Sequence, residues 1–366
     1  MRSFFSLLLA TPLYLSGQAL VPSVITALSS TLNETSGLVV LNGEVWTQLD
    51  SGNPNALYRI DPSDGQVLRS VTVSNASNVD WEEITADGQW LYIGDFGNNL
   101  GSRTDLRIYR VSLADLLDLA TTELLADTIR FTYPLQTDFT PADRANDWDM
   151  EAMVAVGDSL FLFSKNWLSG TSYLYALAAE PGDHFASRRD TLDAQGLITG
   201  AAYDADNASI VLVGYTNGTY RPFVWGLDAF AGTNFFSGRK ERRMLDAGLV
   251  QMEAIAVAGS GIVYLTNEWS LFGSARLWQL PVEVGAGPKL EQRSKVALWP
   301  SPNDGRFVIE VDRRCLLELF DMEGRRVRDQ VLRPGTNHVD FGDLPNGIYV
   351  VRTGSGNHVL RMSVVR

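Results

Sequence analysis

The sequence predicts an all-β chain in two parts, a ring of small repeated sheets followed by a small Ig-like sandwich. Three observations predict it. A three-strand pattern recurs five times across the first 285 residues. Helical periodicity is scarce throughout. From residue 296 the strands shorten and the charge changes sign.

The repeat sets the architecture. Each copy opens with an acidic or small residue before an apolar strand. A turn, a second apolar strand, a polar loop and a third strand rich in Leu, Tyr and Trp follow. The first strands are residues 34–38 (ETSGL), 80–85 (DWEEIT), 149–154 (DMEAMV), 198–203 (ITGAAY) and 251–256 (QMEAIA). The second strands are residues 45–50, 90–95, 160–165, 210–215 and 262–268. From Ser36 to Asp50, Glu82 to Asp95, Glu151 to Lys165, Gly200 to Tyr215 and Glu253 to Glu268 the separations are 14, 13, 14, 15 and 15. The strands are β-branched and aromatic, with Gly, Asn, Asp and Ser between them. Repeats of about 50 residues, each one antiparallel sheet, describe a β-propeller. Residues 23–283 hold five such blades. Six is the alternative if residues 109–149 conceal another sheet. The last blade shows three strands, so a strand at residues 23–28 is expected to close the ring. Residues 112–125, the best helical stretch, read as an insertion.

The ends follow. Residues 1–19 read as an export signal: Arg2 supplies positive charge, residues 4–15 are apolar but too short to span a bilayer, and small residues follow. Residues 284–295 read as a linker and 296–366 as a separate sandwich. The sandwich holds ten Arg, no Lys, six Asp and three Glu, a net of +1. The rest of the chain therefore carries −14 of the total −13. So acidic a surface disfavours nucleic acid and anionic membranes. One Cys and three His exclude a disulfide scaffold and make a zinc site hard to build.

The functional candidates come from the ring. The repeat places Glu82, Glu151 and Glu253 at equivalent first-strand positions, with Ser36 and Gly200 in the other two copies. First strands line the axis of a propeller, so three carboxylates are expected to converge there. Oxygen ligands in that number suit Ca²⁺, and a calcium ion at Glu82, Glu151 and Glu253 is the candidate cofactor. A second ring is expected from Asp50, Asp95, Lys165, Tyr215 and Glu268. The polar loop 94–103 adds Asn98, Asn99 and Arg103 as candidate ligand-binding residues. The competing roles are hydrogen bonding to neighbouring backbone and acid/base catalysis by carboxylates of separated pKa. Arg103, Arg144 and Lys165 are candidates to compensate the charge. Trp81, Trp148, Trp167 and Trp269 either pack between blades or stack on sugars. His184 is the sole His before the linker and lies in a polar loop, so a Ser-His-Asp triad has no base.

Two resemblances add to this. Residues 298–307 (LWPSPNDGRF), 319–327 (LFDMEGRRV) and 344–351 (LPNGIYVV) resemble the type A C-terminal sorting domain of the type IX secretion system of Bacteroidetes. The family usually shows Tyr-Pro-Asn-Pro where residues 299–302 read WPSP. The resemblance implies passage across the outer membrane through that machinery, then release or anchoring on the cell surface. Residues 80–84 (DWEEI), 94–99 (GDFGNN), 150–153 (MEAM) and 251–255 (QMEAI) are similar to secreted bacterial propellers distantly related to phytase-like esterases. Phytase sites need clustered Lys and Arg, and this rim is acidic. The expected function is therefore binding of an extracellular glycan or protein, calcium-supported. The alternative is an extracellular hydrolase, either a metal-assisted phosphoesterase or a carboxylate-dependent glycan-cleaving enzyme.

Overall fold

A computed structural model describes residues 19–258, 262–280, 297–300, 302–311, 315–322, 325–333, 335–353 and 358–365. Residues 1–18 of the expected export signal and all of the expected linker lie outside these residues. The chain divides into two compact units, Met1–Ala286 and Gly287–Arg366.

The described residues of the first unit form five sheets of four or five strands. The innermost strands are Thr35–Leu41, Trp81–Ala86, Met150–Val156, Leu197–Asp204 and Met252–Ala258. Each packs on the next, and the fifth packs back on the first. Five separate cores lie between consecutive sheets. One joins Trp46 and Leu57 of the first blade to Trp81 and Ile93 of the second. The last joins Leu277 of the fifth blade to Leu38 and Tyr58 of the first. A twisted sheet buries both faces this way, which explains why the inner strands read as continuous apolar runs.

The ring is closed by Ser23–Ala27, which pairs antiparallel with Arg276–Leu280 as the outer strand of the fifth sheet. The stretch between the second and third blades holds no sheet of its own. Asp127–Thr132 is the fourth strand of the second blade, antiparallel to Arg107–Ser112. The expected helix over 112–125 shrinks to Leu113–Leu117, with Ser112 as its N-cap. Glu123–Leu124 then adds parallel to the outer edge of the first blade, and Gly182–Phe185 adds parallel to the second. Both additions cover strand edges that would otherwise be open.

The second unit holds two sheets. Ala297–Trp299, Arg306–Val311 and Gly335–Asp340 form one; Arg326–Leu332, Cys315–Phe320, Gly347–Thr353 and His358–Val364 form the other. Phe307, Ile309, Leu317, Leu319 and Val351 are among the side chains of its core. Its short strands alternate buried and exposed residues, as a sandwich with two solvated faces requires.

Candidate functional site

Each inner strand carries one β-bulge at the same level. The pairing shifts by a residue between Trp81 and Glu83, Met150 and Ala152, Ile198 and Gly200, Met252 and Ala254, and Thr35 and Leu38. A bulge leaves one residue outside the ladder and re-aims its side chain. Those residues are Glu82, Glu151, Thr199 and Glu253, with Ser36 in the first blade. The expected equivalence of Gly200 is thus corrected by one position to Thr199. Gly200 is instead where strands meet closely: a Cβ there would lie 2.7 Å from the Glu253 carbonyl oxygen.

Glu82, Glu151 and Glu253 are all buried. Their carboxyls stand close enough to raise one another: burial pushes each up, Glu151 raises Glu82, and Glu253 raises Glu151. Glu253 is pushed to about 7, first by burial and then by Asp50 among its neighbours, against the pull of Lys165. Lys165 is the cation at the centre. Its Nζ lies 3.0 Å from Glu151 Oε1, and both side chains are buried. Burial pulls the ammonium down, but Glu151, Tyr215 and Glu253 together hold it well above its usual value. Lys165 also sits over the rings of Trp167 and Tyr215, at 5.0 and 5.6 Å.

The second ring differs from expectation at one member. Asp50, Lys165 and Glu268 each donate a backbone N–H to the residue just before the inner strand: Glu34, Asp149 and Gln251. In the second blade it is Phe96 that donates to Asp80. Asp95 therefore stands one residue out of register, and in a strand one residue is the opposite face. Fully buried, it accepts the Asp80 N–H at 3.0 Å and pairs with Arg103 at 3.0 Å and Arg107 at 3.4 Å. Its expected place in the ring is corrected accordingly.

The loop candidates are braces. Asn98 donates its N–H to Asp149 Oδ1 at 2.6 Å and accepts from the Arg103 N–H at 3.0 Å. Arg103 also donates to the Gly97 carbonyl at 2.8 Å. The Asn99 carbonyl accepts from Arg144 N–H and Asn146 Nδ2. Arg144 lies over the Trp167 ring at 5.4 Å rather than beside a carboxylate. Among the tryptophans, Trp81 is fully buried between blades and Trp269 is 56% exposed; Trp148 and Trp167 are half-buried.

The expected calcium trio is not the set that converges. Glu151 is taken by Lys165. Among the described residues, Asp50, Asp80 and Glu82 bring one oxygen each within 4.8 Å of one another. Among the described residues Glu82 Oε2 receives only the Ser36 hydroxyl at 3.3 Å and no Arg or Lys forms an ion pair with the three, though Lys165 pulls on Asp50 and Glu82 and Arg103 on Asp80. Gly97 makes the space: a Cβ there would lie 2.2 Å from Glu82 Oε1 and 2.5 Å from Asp80 Oδ2. Burial, then Asp50 and Asp149, push Asp80 to about 7. Asp80 was visible only as the first residue of a motif. Its signal was its place two residues before the bulge, shared with Asp149 and Gln251.

Glu83 is a further site residue that the repeat does not single out. It is fully buried one residue past the bulge. Its Oε2 accepts the Ala201 N–H at 2.8 Å and Oε1 the Ile84 N–H at 3.1 Å. The Leu38 and Met153 amides also bond to it. One carboxylate thus joins the inner strands of four blades.

Residues 297–365 match the family model described as a secretion system C-terminal sorting domain. A search of curated proteins finds no match. Among solved structures the chain is similar to PorZ, a surface component of the type IX secretion system of Porphyromonas gingivalis. That similarity is at 15% identity and TM-score 0.34, over 91% of this chain and 45% of PorZ, so the chain spans less than half of that protein. It is also similar to a virginiamycin B lyase from Staphylococcus aureus (12% identity, TM-score 0.35, 68% and 66% covered) and to a glucose dehydrogenase (10%, 0.41, 70% and 98%).

Proposed function

We infer a function that begins with export: residues 297–365 are a type IX secretion sorting domain, which marks the chain for the cell surface or beyond. No helix among the described residues is long and apolar enough to cross a membrane. On that basis we propose that its propeller is an extracellular binding module. Its ligand, a glycan or a protein, is engaged at the carboxylate-lined mouth, and Ca²⁺ is held by Asp50, Asp80 and Glu82. One observation carries this reading: three carboxylates with converging oxygens and, among the described residues, no ion pair to a basic side chain. Like charges so placed are unfavourable until a cation or protons compensate them. Carboxylate oxygens are the ligands Ca²⁺ prefers, and water or ligand oxygens would complete its coordination. Calcium is expected to raise the thermal midpoint of the full chain, and Asp80→Asn with Glu82→Gln to abolish the rise. An equal rise in the double variant would refute the site.

A hydrolase is the second reading, favoured by the Glu253–Glu268 pair. The two carboxyls share a hydrogen bond, and Glu253 is pushed to about 7, where an acid/base group serves at neutral pH. Turnover on a panel of glycans and phosphoesters, lost in Glu253→Gln, is its test.

A further inference from the structure

A cleft of about 500 Å³ opens in the first unit at the junction of the second and third blades. Sites for small ligands span roughly 300–1,000 Å³. One wall is the connection from the fourth strand of the second blade to the inner strand of the third, with Leu135, Asp138, Asp147 and Trp148. The other wall belongs to the third blade, with Leu168, Tyr173 and Arg188. Leu135 and Leu168 are 67% and 69% exposed, so both walls display apolar surface to solvent. Asp50, Asp80 and Glu82 do not line this cleft.

The walls are fixed in advance. Gly101 has φ of +68°, and a Cβ there would lie 2.7 Å from Asn146 Cγ, so the two loops interlock. The N–H groups of Ala142 and Arg144 donate to the carbonyls of Leu100 and Asn99, and that of Trp167 to Asn146. With these backbone groups committed to one another, the loops present no strand edge to an extended peptide, and recognition falls to side chains. The polar side chains are anchored yet keep bonding capacity. Asp147 Oδ1 accepts the N–H of Leu168 at 3.0 Å and of Ser169 at 3.3 Å. Asp138 Oδ1 accepts that of Thr140 at 2.8 Å. The Arg188 guanidinium lies 3.5 Å over the Tyr173 ring and donates to Thr191 Oγ1 at 2.8 Å. Among the described residues, Asp147 Oδ2 and the Trp148 indole N–H have no hydrogen-bond partner, and Arg188 pairs with no carboxylate. Groups held this way lose little entropy on binding.

We propose that this cleft binds a neutral oligosaccharide. The two carboxylates, the guanidinium and the indole N–H ask for acceptors and donors together, and sugar hydroxyls are both. A polyanion would meet Asp138 and Asp147, and a polycation would meet Arg188; either leaves a charged group of the cleft without a partner. The apolar walls and the Trp148 ring suit the C–H faces of pyranose rings. This inference goes beyond the calcium reading and does not rest on it, since the two share no residue.

The test is isothermal titration calorimetry on the full chain with cellohexaose, maltohexaose, mannohexaose and chitohexaose, and with hexagalacturonate and hexalysine as charged comparators. At least one neutral hexasaccharide is expected to bind and saturate, at least tenfold more tightly than either comparator. Arg188→Ala with Asp138→Ala keeps the net charge and should weaken binding at least tenfold with the thermal midpoint unchanged. Trp148→Phe keeps a ring in the wall, removes the indole N–H and should weaken binding at least threefold. Asp80→Asn with Glu82→Gln should change it less than twofold. The proposal is overturned if no neutral hexasaccharide binds, if a charged comparator binds as tightly, or if the Arg188 and Asp138 double variant keeps full affinity. A loss confined to the Asp80 and Glu82 variant would overturn it too, placing the sugar at the mouth.

Discussion

Glu83 shows how much one side chain can organise. It accepts amides from Leu38, Ile84, Met153 and Ala201, on four different blades. A backbone N–H buried without an acceptor costs about 1–3 kcal/mol. Glu83→Ala would strand several, so a loss of about 3 kcal/mol or more is expected in urea unfolding. Glu253 makes the opposite contribution. Burial raises its folded pKa to about 7, above the roughly 4.3 of an unfolded glutamate. The folded state then binds the extra proton between those values. Stability is full below about pH 4 and is lost as pH rises toward 7. Thermal midpoints should fall between pH 5 and pH 8, and Glu253→Gln should flatten that fall. A profile as steep in the variant would assign the effect to another carboxyl.

At the scale of the element, the bulge is the unit that builds the mouth. It recurs in all five inner strands and turns Glu82, Glu151 and Glu253 out of the ladder. The repeat was legible in the sequence because spacing and apolar pattern survive without tertiary context. The bulge was not, since a single inserted residue leaves no compositional trace. This is why the spacing sets Asp95 in line with Asp50, Lys165 and Glu268 while Phe96 holds that backbone register with its ring in the core, and why Gly200 stands in for Thr199. Close approach of neighbouring inner strands rests on glycine. A Cβ on Gly37 would lie 2.5 Å from the backbone N of Ile84, which cannot move without its strand. Gly37→Ala is expected to cost about 1–3 kcal/mol, read as a lower denaturation midpoint with an unchanged circular dichroism spectrum.

At the scale of the whole molecule, ring closure couples the two ends of the first unit. Ser23–Ala27 covers the edge of Arg276–Leu280, which is otherwise an open template for another strand. A chain beginning at residue 29 should melt roughly 5–10 °C below one beginning at residue 20, taking about 3 kcal/mol for the lost strand. It should also self-associate in sedimentation. If both chains melt together, closure contributes nothing to stability.

The sequence by itself determined the class of fold, the ring-closing strand, the placement of negative charge and the sorting domain. Each of these is written in local period, composition or motif. Tertiary structure alone settles which carboxylates, among the described residues, lack an ion pair. Lys165 takes Glu151, Arg103 and Arg107 take Asp95, and four blades grip Glu83. Asp50, Asp80 and Glu82 are left to face one another. Pairing of that kind depends on side chains brought from different blades, and a one-residue shift in a strand exchanges the face that meets them.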